Sequence, residues 1–349
     1  MDTLDRADLE RLLHDAPDGV LSLYLHVDPS DPANEHSVPH WRYELERWLA
    51  STRETLPEDR RAAFEAARVQ AEPKLAAPIA GKTLVVFASA DSVHATSLPF
   101  ALPVVHEFGP PRVDPLLWAI DEYEHYLIVM VDRDRVRTIS AWLGSPQAES
   151  AKLEPEGHWG AKQFSRTGHA QNAESHEQTW QHRWLRAVAG ELQTQLTGKS
   201  ELGRIILAGD EKQAKALRQE LPTSLRRAVI GVVALPFELE DHHVIERISP
   251  LALAHERAVE LELVRAVIDR AKQGDRGALG RQAVGEALDA HQVRRLLLAS
   301  PAEDTALAAD FVRRSFACAA KVEFVQGEAA TLLRAQGQPG GVAAELYWS

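Results

Sequence analysis

A polar stretch in the middle of the chain, residues 157–175, holds the side chains best suited to contact a substrate. Trp159 and Phe164 are its only large apolar residues, so most of its backbone must lie in water. Gly160 lets the backbone approach a bound molecule closely, because glycine has no Cβ. Gln163 can both donate a hydrogen bond to, and accept one from, a water molecule or a sugar hydroxyl.

Basic side chains in the same stretch are suited to contact phosphate groups. They are His158, Lys162, Arg166 and His169. The stretch offers no strong general base, so any chemistry would depend on a partner that supplies it. On residue types alone, a solvated surface loop without function is the more common explanation of such a composition.

Histidines elsewhere in the chain give no strong metal pattern. His176 and His182 are six residues apart, so on a helix they point about 120° apart and do not form the i, i+4 pair that shares one ion. His242 and His243 are adjacent. Solvated or phosphate-contacting histidines are therefore expected, and neither a metal nor another cofactor is predicted.

Other motifs with chemical meaning are incomplete. Residues 197–200, TGKS, lack the first glycine of a P-loop, because position 193 is Gln193, and they precede a predicted strand. Asp132 and Asp134 could be the carboxylates of a nuclease, but turn formation in a hairpin is the favoured interpretation. Cys318 is the only cysteine, which excludes an internal disulfide and a thiolate zinc site, and its helical surroundings indicate a structural thiol.

The charge of the chain is uneven. The 349 residues carry a formal net charge of -12, which argues against a nucleic-acid partner because phosphate affinity comes largely from Lys and Arg. Residues 1–114 contain 11 basic and 19 acidic side chains, whereas residues 255–349 contain 12 and 13, so local basic faces are compatible with the total. No apolar run is long enough for a membrane span, and the start of the chain is acidic. We expect a cytoplasmic, soluble protein.

The order of predicted elements indicates an α/β protein, of mixed α+β type. In the first third, alternation predicts strands over 20–27 and 82–89 with helices between them. The three prolines and one glycine of 106–115 predict a domain boundary. A hairpin turning at 132–134 follows.

A long helix then carries Trp180, Trp184, Val188 and Leu192 on one face. The apolar run 203–210 predicts a buried strand. A third region begins near Ser249 with a helix from Leu251, and its alternating helices and strands predict a sheet covered on both faces.

Several stretches of the chain are similar to one family. GAKQFSR followed by a long helix, LSLYLHVDPS near the start, GRIILAGDEKQAKALRQELP, QAVGEAL with VRRLLLAS, and the closing GGVAAELYW are the ones that carry the similarity. Over nearly its whole length the chain resembles the bacterial members of the archaeal and eukaryotic class I peptide-chain release factor and Pelota family. The resemblance implies three domains: a mixed α/β N-terminal domain over 1–112, an RNase H-like central domain over 113–250 and a C-terminal α/β/α sandwich over 251–349.

What the resemblance implies for function is entry into the ribosomal A site. The central loop would reach the peptidyl transferase centre, where the glutamine of a Gly-Gly-Gln motif places water against the ester of peptidyl-tRNA. Gly160 and Gln163 take those catalytic positions, but Ala161 and Lys162 intervene, so the chain has the looser Gly-x-x-Gln pattern. The resemblance also implies contacts with rRNA. Arg294 and Arg295 are the candidates in the C-terminal domain, and the four basic loop residues are the candidates in the central domain.

Three functions stay open at this point. The first is hydrolysis of peptidyl-tRNA on stalled or terminating ribosomes. The second is a non-catalytic A-site occupant that acts in ribosome rescue or hibernation, as Pelota-like members do. The third is an α/β enzyme for small molecules, which the missing nucleotide and triad motifs disfavour. For the first two, the expected partners are rRNA and peptidyl-tRNA, with a translational GTPase such as elongation factor Tu as a candidate, and no membrane.

Overall fold

The computed structural model describes residues 6–15, 18–78, 81–122, 125–142, 148–152, 170–196, 204–337 and 340–348. The described chain is mixed α/β with three sheets, which confirms the predicted fold class. Its residues form two compact units, unit 1 (residues 1–122 with 257–349) and unit 2 (residues 123–256). The division into three domains at 112 and 250 stays a prediction. Within the described ranges, none of the helices combines the length and the apolar character needed to cross a bilayer.

The first sheet of unit 1 consists of four antiparallel strands. They are β1 Val20–His26, β2 Thr83–Ala88, β3 Val93–Leu98 and β4 Val105–Gly109, in the sheet order β3-β2-β1-β4. The helices of this segment are α1 Arg6–Asp15, α2 His40–Thr55, α3 Glu58–Leu75 and α4 Asp114–Glu122. Phe64 and Ala67 of α3 pack with Leu23 of β1 in one apolar cluster, so the central strand is covered by the helices.

Part of the predicted boundary at 106–115 is a strand. Residues Val105–Gly109 form β4 and pair with β1, although the sequence pattern indicated only a connection. The prolines that follow do end the strand, since Pro110 and Pro111 cannot donate to a ladder. Tyr24 of β1 then fixes the chain, because its hydroxyl donates to the Arg112 carbonyl over 2.6 Å.

The sheet of unit 2 has five strands. They are β5 His125–Val131, β6 Val136–Trp142, β7 Ala148–Lys152, β8 Arg204–Gly209 and β9 Val229–Ala234, in the order β7-β6-β5-β8-β9. β5, β6 and β7 are successively antiparallel, whereas β8 and β9 run parallel to β5. Counted within the sheet, this is the order 3-2-1-4-5 with an antiparallel second strand, which is the predicted RNase H-like topology. The helices are α5 Ala170–Leu196, α6 Glu211–Glu220, α7 Thr223–Ala228 and α8 Asp241–Lys272, of which α8 continues into unit 1.

The two faces of β5 bury different cores. Leu127, Val129 and Val131 lie in the cluster formed with α5 and α6, and Tyr126, Ile128 and Met130 lie in the cluster formed with α8. Successive side chains of a strand point to opposite faces, so a run without polar residues is what a strand between two helical layers requires.

Pro250 lies inside α8, near the point where the sequence predicted the third region to begin. Proline has no N–H, so one hydrogen bond of the helix is missing here. The helix nevertheless begins at Asp241, well before the predicted start at Leu251. Apolar residues on both sides of the proline hold it against the sheet, namely Val244, Ile245, Ile248 and Ala252. Burial of this face therefore outweighs the local break.

The second sheet of unit 1 lies near the end of the chain. Its strands are β10 Gly277–Leu279, β11 Val293–Ala299, β12 Lys321–Val325 and β13 Val342–Leu346, in the order β10-β13-β11-β12. Its helices are α9 Gly280–Asp289, α10 Thr305–Ala317 and α11 Gly327–Gln336. α11 and the end of α8 pack on the sheet in one cluster, while α9 and α10 contact each other and strands β13 and β11. Helices thus cover this sheet in two pairs, as the alternating pattern predicted.

Cys318 is a structural thiol, as expected. Its sulfur donates to the Leu288 carbonyl oxygen over 3.3 Å at the end of α10. Burial raises the pKa of the thiol, which keeps it protonated and unreactive at neutral pH.

A group of carboxylates joins α4 to β12 within unit 1, and the sequence did not indicate it. Asp121 Oδ2 accepts a hydrogen bond from the Phe324 N–H over 2.7 Å. Glu122 accepts from the Gln326 side-chain amide over 2.6 Å, and Glu260 of α8 accepts from the Gln326 N–H over 2.8 Å. Side chains from two distant segments, α4 and α8, therefore satisfy the backbone N–H groups at the end of β12.

The charge in this carboxylate group is only partly balanced. Arg257 of α8 forms ion pairs with both Glu122 and Glu260. Burial, followed by the negative charge of Glu323, raises the pKa of Asp121 well above the usual value of an aspartate. Burial also raises the pKa of Glu260. Because ionisation of Asp121 is unfavourable in the folded protein, its proton is held more tightly there than in the unfolded chain.

We expect Asp121→Asn to stabilise unit 1 at neutral pH. Asparagine keeps the carbonyl oxygen that accepts from Phe324 and removes the buried charge, so the free energy of unfolding should rise by about 1–3 kcal/mol at pH 7–8. A raised folded-state pKa means that wild-type stability falls as pH rises from the unfolded pKa of about 3.9 to the folded value. The advantage of the variant should therefore vanish near pH 4. Urea denaturation between pH 4 and pH 8 measures both effects.

The control is Asp91→Asn, because Asp91 is exposed in the turn between β2 and β3. This variant should leave the pH profile of stability unchanged. A loss of stability in Asp121→Asn that is equal at pH 4 and pH 8 would mean that the carboxylate acts through its shape alone.

Candidate functional site

The predicted Gly-x-x-Gln stretch connects β7 to α5. Its site residues Gly160 and Gln163, and the basic residues His158, Lys162, Arg166 and His169, lie outside the described residues. The structure does place the two ends of the stretch. β7 ends at Lys152 on the edge of the unit 2 sheet, and α5 begins at Ala170.

α5 is the element that fixes the far end of the stretch. Three residues of its predicted apolar face, Trp184, Val188 and Leu192, are buried against the β5 and β8 face of the sheet. Trp180 is half-buried and stacks on Trp184, with ring centroids 6.4 Å apart and planes at 5°. The predicted stripe is confirmed, and burial of an indole and two aliphatic side chains holds the helix by several kcal/mol in total, at roughly 1.5–3 kcal/mol for each large apolar side chain.

A pair of polar contacts holds α5 to α6. Glu220 of α6 accepts from Arg186 Nε over 2.8 Å, and the same carboxylate lies 3.2 Å from His182 Nδ1. The Glu220 side chain is only 15 % exposed, so these contacts are less screened than an open surface pair. His182 thus has a carboxylate partner in the protein, while the side chain of His176 lies outside the described residues.

An open cleft of about 590 Å³ lies at the base of the stretch. Its walls include Lys152, the turn between β5 and β6, Arg137 of β6, and the connection from β9 to α8. The sequence did not indicate this cleft, although the two closely spaced arginines at the start of β6, Arg135 and Arg137, were a usable signal.

Two arginines in this cleft bind the β9–α8 connection. Arg137 pairs with Asp241 and donates to the Leu239 and Phe237 carbonyls. Arg135 pairs with Glu238, and its guanidinium lies 4.4 Å from the centre of the Phe237 ring. Since each guanidinium has carboxylate partners, the pair organises the connection and adds little net positive charge to the cleft.

Asp132 is a turn residue, as favoured from the sequence. Its N–H donates to the Arg135 carbonyl over 2.9 Å, and its carboxylate accepts from the Arg133 N–H over 2.8 Å. The hydrogen bond from the Arg135 side chain lowers the pKa of Asp132. A carboxylate held ionised by a guanidinium suits a structural turn, and it does not suit a general acid.

The last two predicted RNA contacts lie in unit 1, on β11. Arg294 has a side chain 56 % exposed, with Nη1 3.4 Å from Glu345 Oε1. Arg295 is more buried, with Nε 3.6 Å from Glu323 Oε1. The two side chains contact carboxylates of different strands, Glu345 of β13 and Glu323 of β12. Their contact with RNA stays a prediction.

Comparison with known proteins gives one family match. Residues 111–252 match the model of "Bacterial archaeo-eukaryotic release factor family 10". This range contains the whole described part of unit 2 except its last residues, and it contains the Gly-x-x-Gln stretch. No curated protein matches the chain.

Solved structures with similar folds come from archaea and yeast. The archaeal termination factor aRF1 is 19 % identical, with 99 % of each chain covered and a TM-score of 0.29. An archaeal Pelota, from a model of ribosome-bound Pelota and ABCE1, is 14 % identical, with 100 % of this chain and 95 % of that chain covered and a TM-score of 0.46. Dom34 from S. cerevisiae is 11 % identical, with 79 % and 76 % covered and a TM-score of 0.46.

The family match covers residues 111–252 of the chain. The matched segment includes the sheet, the helix α5 and the stretch that joins them, as the sequence predicted. Over residues 111–252, the chain is therefore similar to the bacterial archaeo-eukaryotic release factors of family 10.

Proposed function

We propose that the protein is a ribosome-associated translation factor that enters the A site and promotes hydrolysis of the peptidyl-tRNA ester on stalled or terminating ribosomes. The observation that carries the proposal is the match of residues 111–252 to the release-factor family model, with the Gly-x-x-Gln stretch inside it. A factor of this kind works in the cytoplasm, where its partners are rRNA and peptidyl-tRNA. A translational GTPase such as elongation factor Tu is the candidate that would deliver it.

The proposed role of Gln163 is to position a water molecule. The amide can accept from a water proton and donate to a neighbouring oxygen, which orients the water toward the ester carbonyl. A neutral amide cannot take a proton from water at neutral pH, so Gln163 cannot act as a general base. The ribosome must therefore supply the remaining stabilisation of the transition state. Orientation alone can lower a barrier by several kcal/mol when the reacting atoms are held in contact. Gly160 would let the backbone approach the tRNA end without a side chain in the way.

The scaffold of unit 2 is compatible with this role. The stretch follows β7 and precedes α5. α5 is held in place by the buried Trp184 and by the contacts of Glu220. A site held by an anchored helix and a sheet is more precise than one on a long free loop.

The second candidate is an A-site occupant that blocks or splits ribosomes without hydrolysis. The departure from Gly-Gly-Gln favours it, because Ala161 and Lys162 stand between Gly160 and Gln163. In this case the basic side chains of the stretch would contact RNA, and Gln163 would have no special weight.

We expect the protein to co-sediment with 70S or 50S ribosomal particles at low salt. The net charge of -12 opposes binding, so the attraction must come from local basic residues, and phosphate contacts release counterions. Binding should weaken steeply between about 50 and 200 mM salt. Sedimentation through a sucrose cushion at several salt concentrations gives the slope. Lack of association with any ribosomal particle at low salt contradicts both candidate functions.

We expect Gln163→Ala to separate the two functions. For a hydrolytic factor, release should fall by one to three decades, about 1.4–4 kcal/mol, as for the loss of one polar group at a transition state. Ribosome affinity should hardly change. Lys162→Ala and Arg166→Ala should instead weaken binding and reduce its salt slope. The assay is release of labelled peptide from ribosomes that carry peptidyl-tRNA and an empty A site, with protein in excess.

The matched control is Gln219→Ala, since Gln219 is an exposed glutamine on α6 of the same unit. It should release peptide at the wild-type rate. If the wild type releases no peptide while it still binds ribosomes, the protein is the non-catalytic occupant. Equal release by the wild type and Gln163→Ala would assign hydrolysis to another residue.

A further inference from the structure

Three potential metal ligands lie together at the start of α8. Among the described residues, Glu240, His242 and His243 form a group whose ligand atoms all lie within 4.8 Å of one another. All three side chains are exposed, and they belong to one short segment that follows the β9–α8 connection. The sequence showed the two adjacent histidines, but it gave no reason to place the Glu240 carboxylate beside them.

The distances fit two ligands of one ion. Glu240 Oε2 and His242 Nδ1 are 3.5 Å apart. Two ligand atoms about 2.1 Å from a tetrahedral zinc ion lie about 3.4 Å from each other, so this pair needs no rearrangement. The ring of His243 is also near, with its centroid 3.8 Å from that of His242 and the planes tilted by 40°. Its ligand nitrogen lies within 4.8 Å of the ligand atoms of Glu240 and His242.

The electrostatics of the segment favour a cation on balance. The first turn of a helix carries partial positive charge, which opposes a metal ion. Glu240 contributes one negative charge directly, and the adjacent Asp241 contributes another that is shared with Arg137. A neutral imidazole offers a nitrogen lone pair to a metal ion. Because the three ligands lie within four residues, holding them in place costs little chain entropy.

The types of ligand decide which ion would bind. Imidazole nitrogen suits Zn²⁺, Ni²⁺ and Cu²⁺, whereas Mg²⁺ and Ca²⁺ prefer oxygen ligands. Three protein ligands leave one position of a tetrahedral ion open to water or to an anionic oxygen. Glu240 also lines the cleft that contains Lys152, Arg135 and Arg137, so the ligand group borders that cleft.

We propose that Glu240, His242 and His243 form a binding site for one first-row divalent transition ion, with Zn²⁺ as the physiological occupant. The bound ion links the β9–α8 connection to the first turn of α8. It stabilises the arrangement that Arg135 and Arg137 already hold through Glu238 and Asp241. The site is independent of the proposed ribosomal function, because it requires only the free protein.

The first test is Zn²⁺ binding to the full-length protein at pH 7.5, measured by competition with a chromophoric chelator. The wild type should bind one ion more than the double variant His242→Ala/His243→Ala. Both histidines are exposed in the first turn of a helix, and alanine has the higher helix propensity, so the variant should fold. Glu240→Gln should weaken binding by about tenfold or more, since it removes the charged ligand. Mg²⁺ at the same concentration should not compete.

The control is His36→Ala, which removes an exposed histidine of unit 1 that lies outside every helix and strand. This variant should bind Zn²⁺ as the wild type does, which would show that the loss of an exposed histidine elsewhere in the chain does not lower binding. Affinity should fall as the pH is lowered, because metal binding requires a deprotonated imidazole. With Cu²⁺ as the probe, electron paramagnetic resonance should show coupling to two imidazole nitrogens in the wild type and not in the double variant. Equal Zn²⁺ stoichiometry and affinity in the wild type and the double variant overturn the proposal, as does a Cu²⁺ spectrum that the two histidine substitutions leave unchanged.

Discussion

The structure of unit 2 depends on burial of both faces of β5. This strand has helices α5 and α6 over Leu127 and Val129 and helix α8 over Tyr126 and Ile128. A strand in this position cannot carry a charged side chain on either face without a cost of several kcal/mol. The apolar run also fixes the layers around it. α5 packs on the sheet through the buried Trp184, and β7 is a strand of the same sheet, so both elements that flank the predicted Gly-x-x-Gln stretch are attached to it.

Ion pairs of arginine side chains hold connecting segments in place in both units. Arg135 and Arg137 hold the β9–α8 connection in unit 2, and Arg257 balances part of the carboxylate group in unit 1. These guanidinium groups are neutralised by the protein. A positive face for RNA must therefore come from other cations, and a chain with net charge -12 can bind phosphate only where its basic groups are locally concentrated. The basic residues of 158–169 have that concentration in the sequence.

The elements with strong periodicity were predictable, and those defined by pairing were not. β1 follows from alternation, β5 from the predicted hairpin, β8 from a continuous apolar run and the apolar face of α5 from the 3.6-residue period, and the structure confirms them. β7, with the sequence AESAK, has no apolar pattern, because an edge strand needs only a partner for its backbone. β4 lies in a segment whose prolines indicated a connection, and its strand character comes from pairing with β1. α8 continues through Pro250 because tertiary burial outweighs a local preference.

The candidate sites show the same difference between what local sequence indicates and what only the folded chain brings together. Residue types alone favoured a solvated surface loop for the stretch containing Gln163, and only the resemblance to the release factors indicated RNA as its partner. The two groups that sequence reasoning missed, the carboxylates around Asp121 and the ligands around His242, each combine side chains with the folding of a particular turn. Asp121 meets Phe324 across more than half the chain, and no local pattern encodes that contact. Glu240 and His242 are neighbours in sequence, but only the path of the chain entering α8 decides whether their side chains converge. The fold therefore decides which polar side chains come together, and only side chains that come together can act as one site.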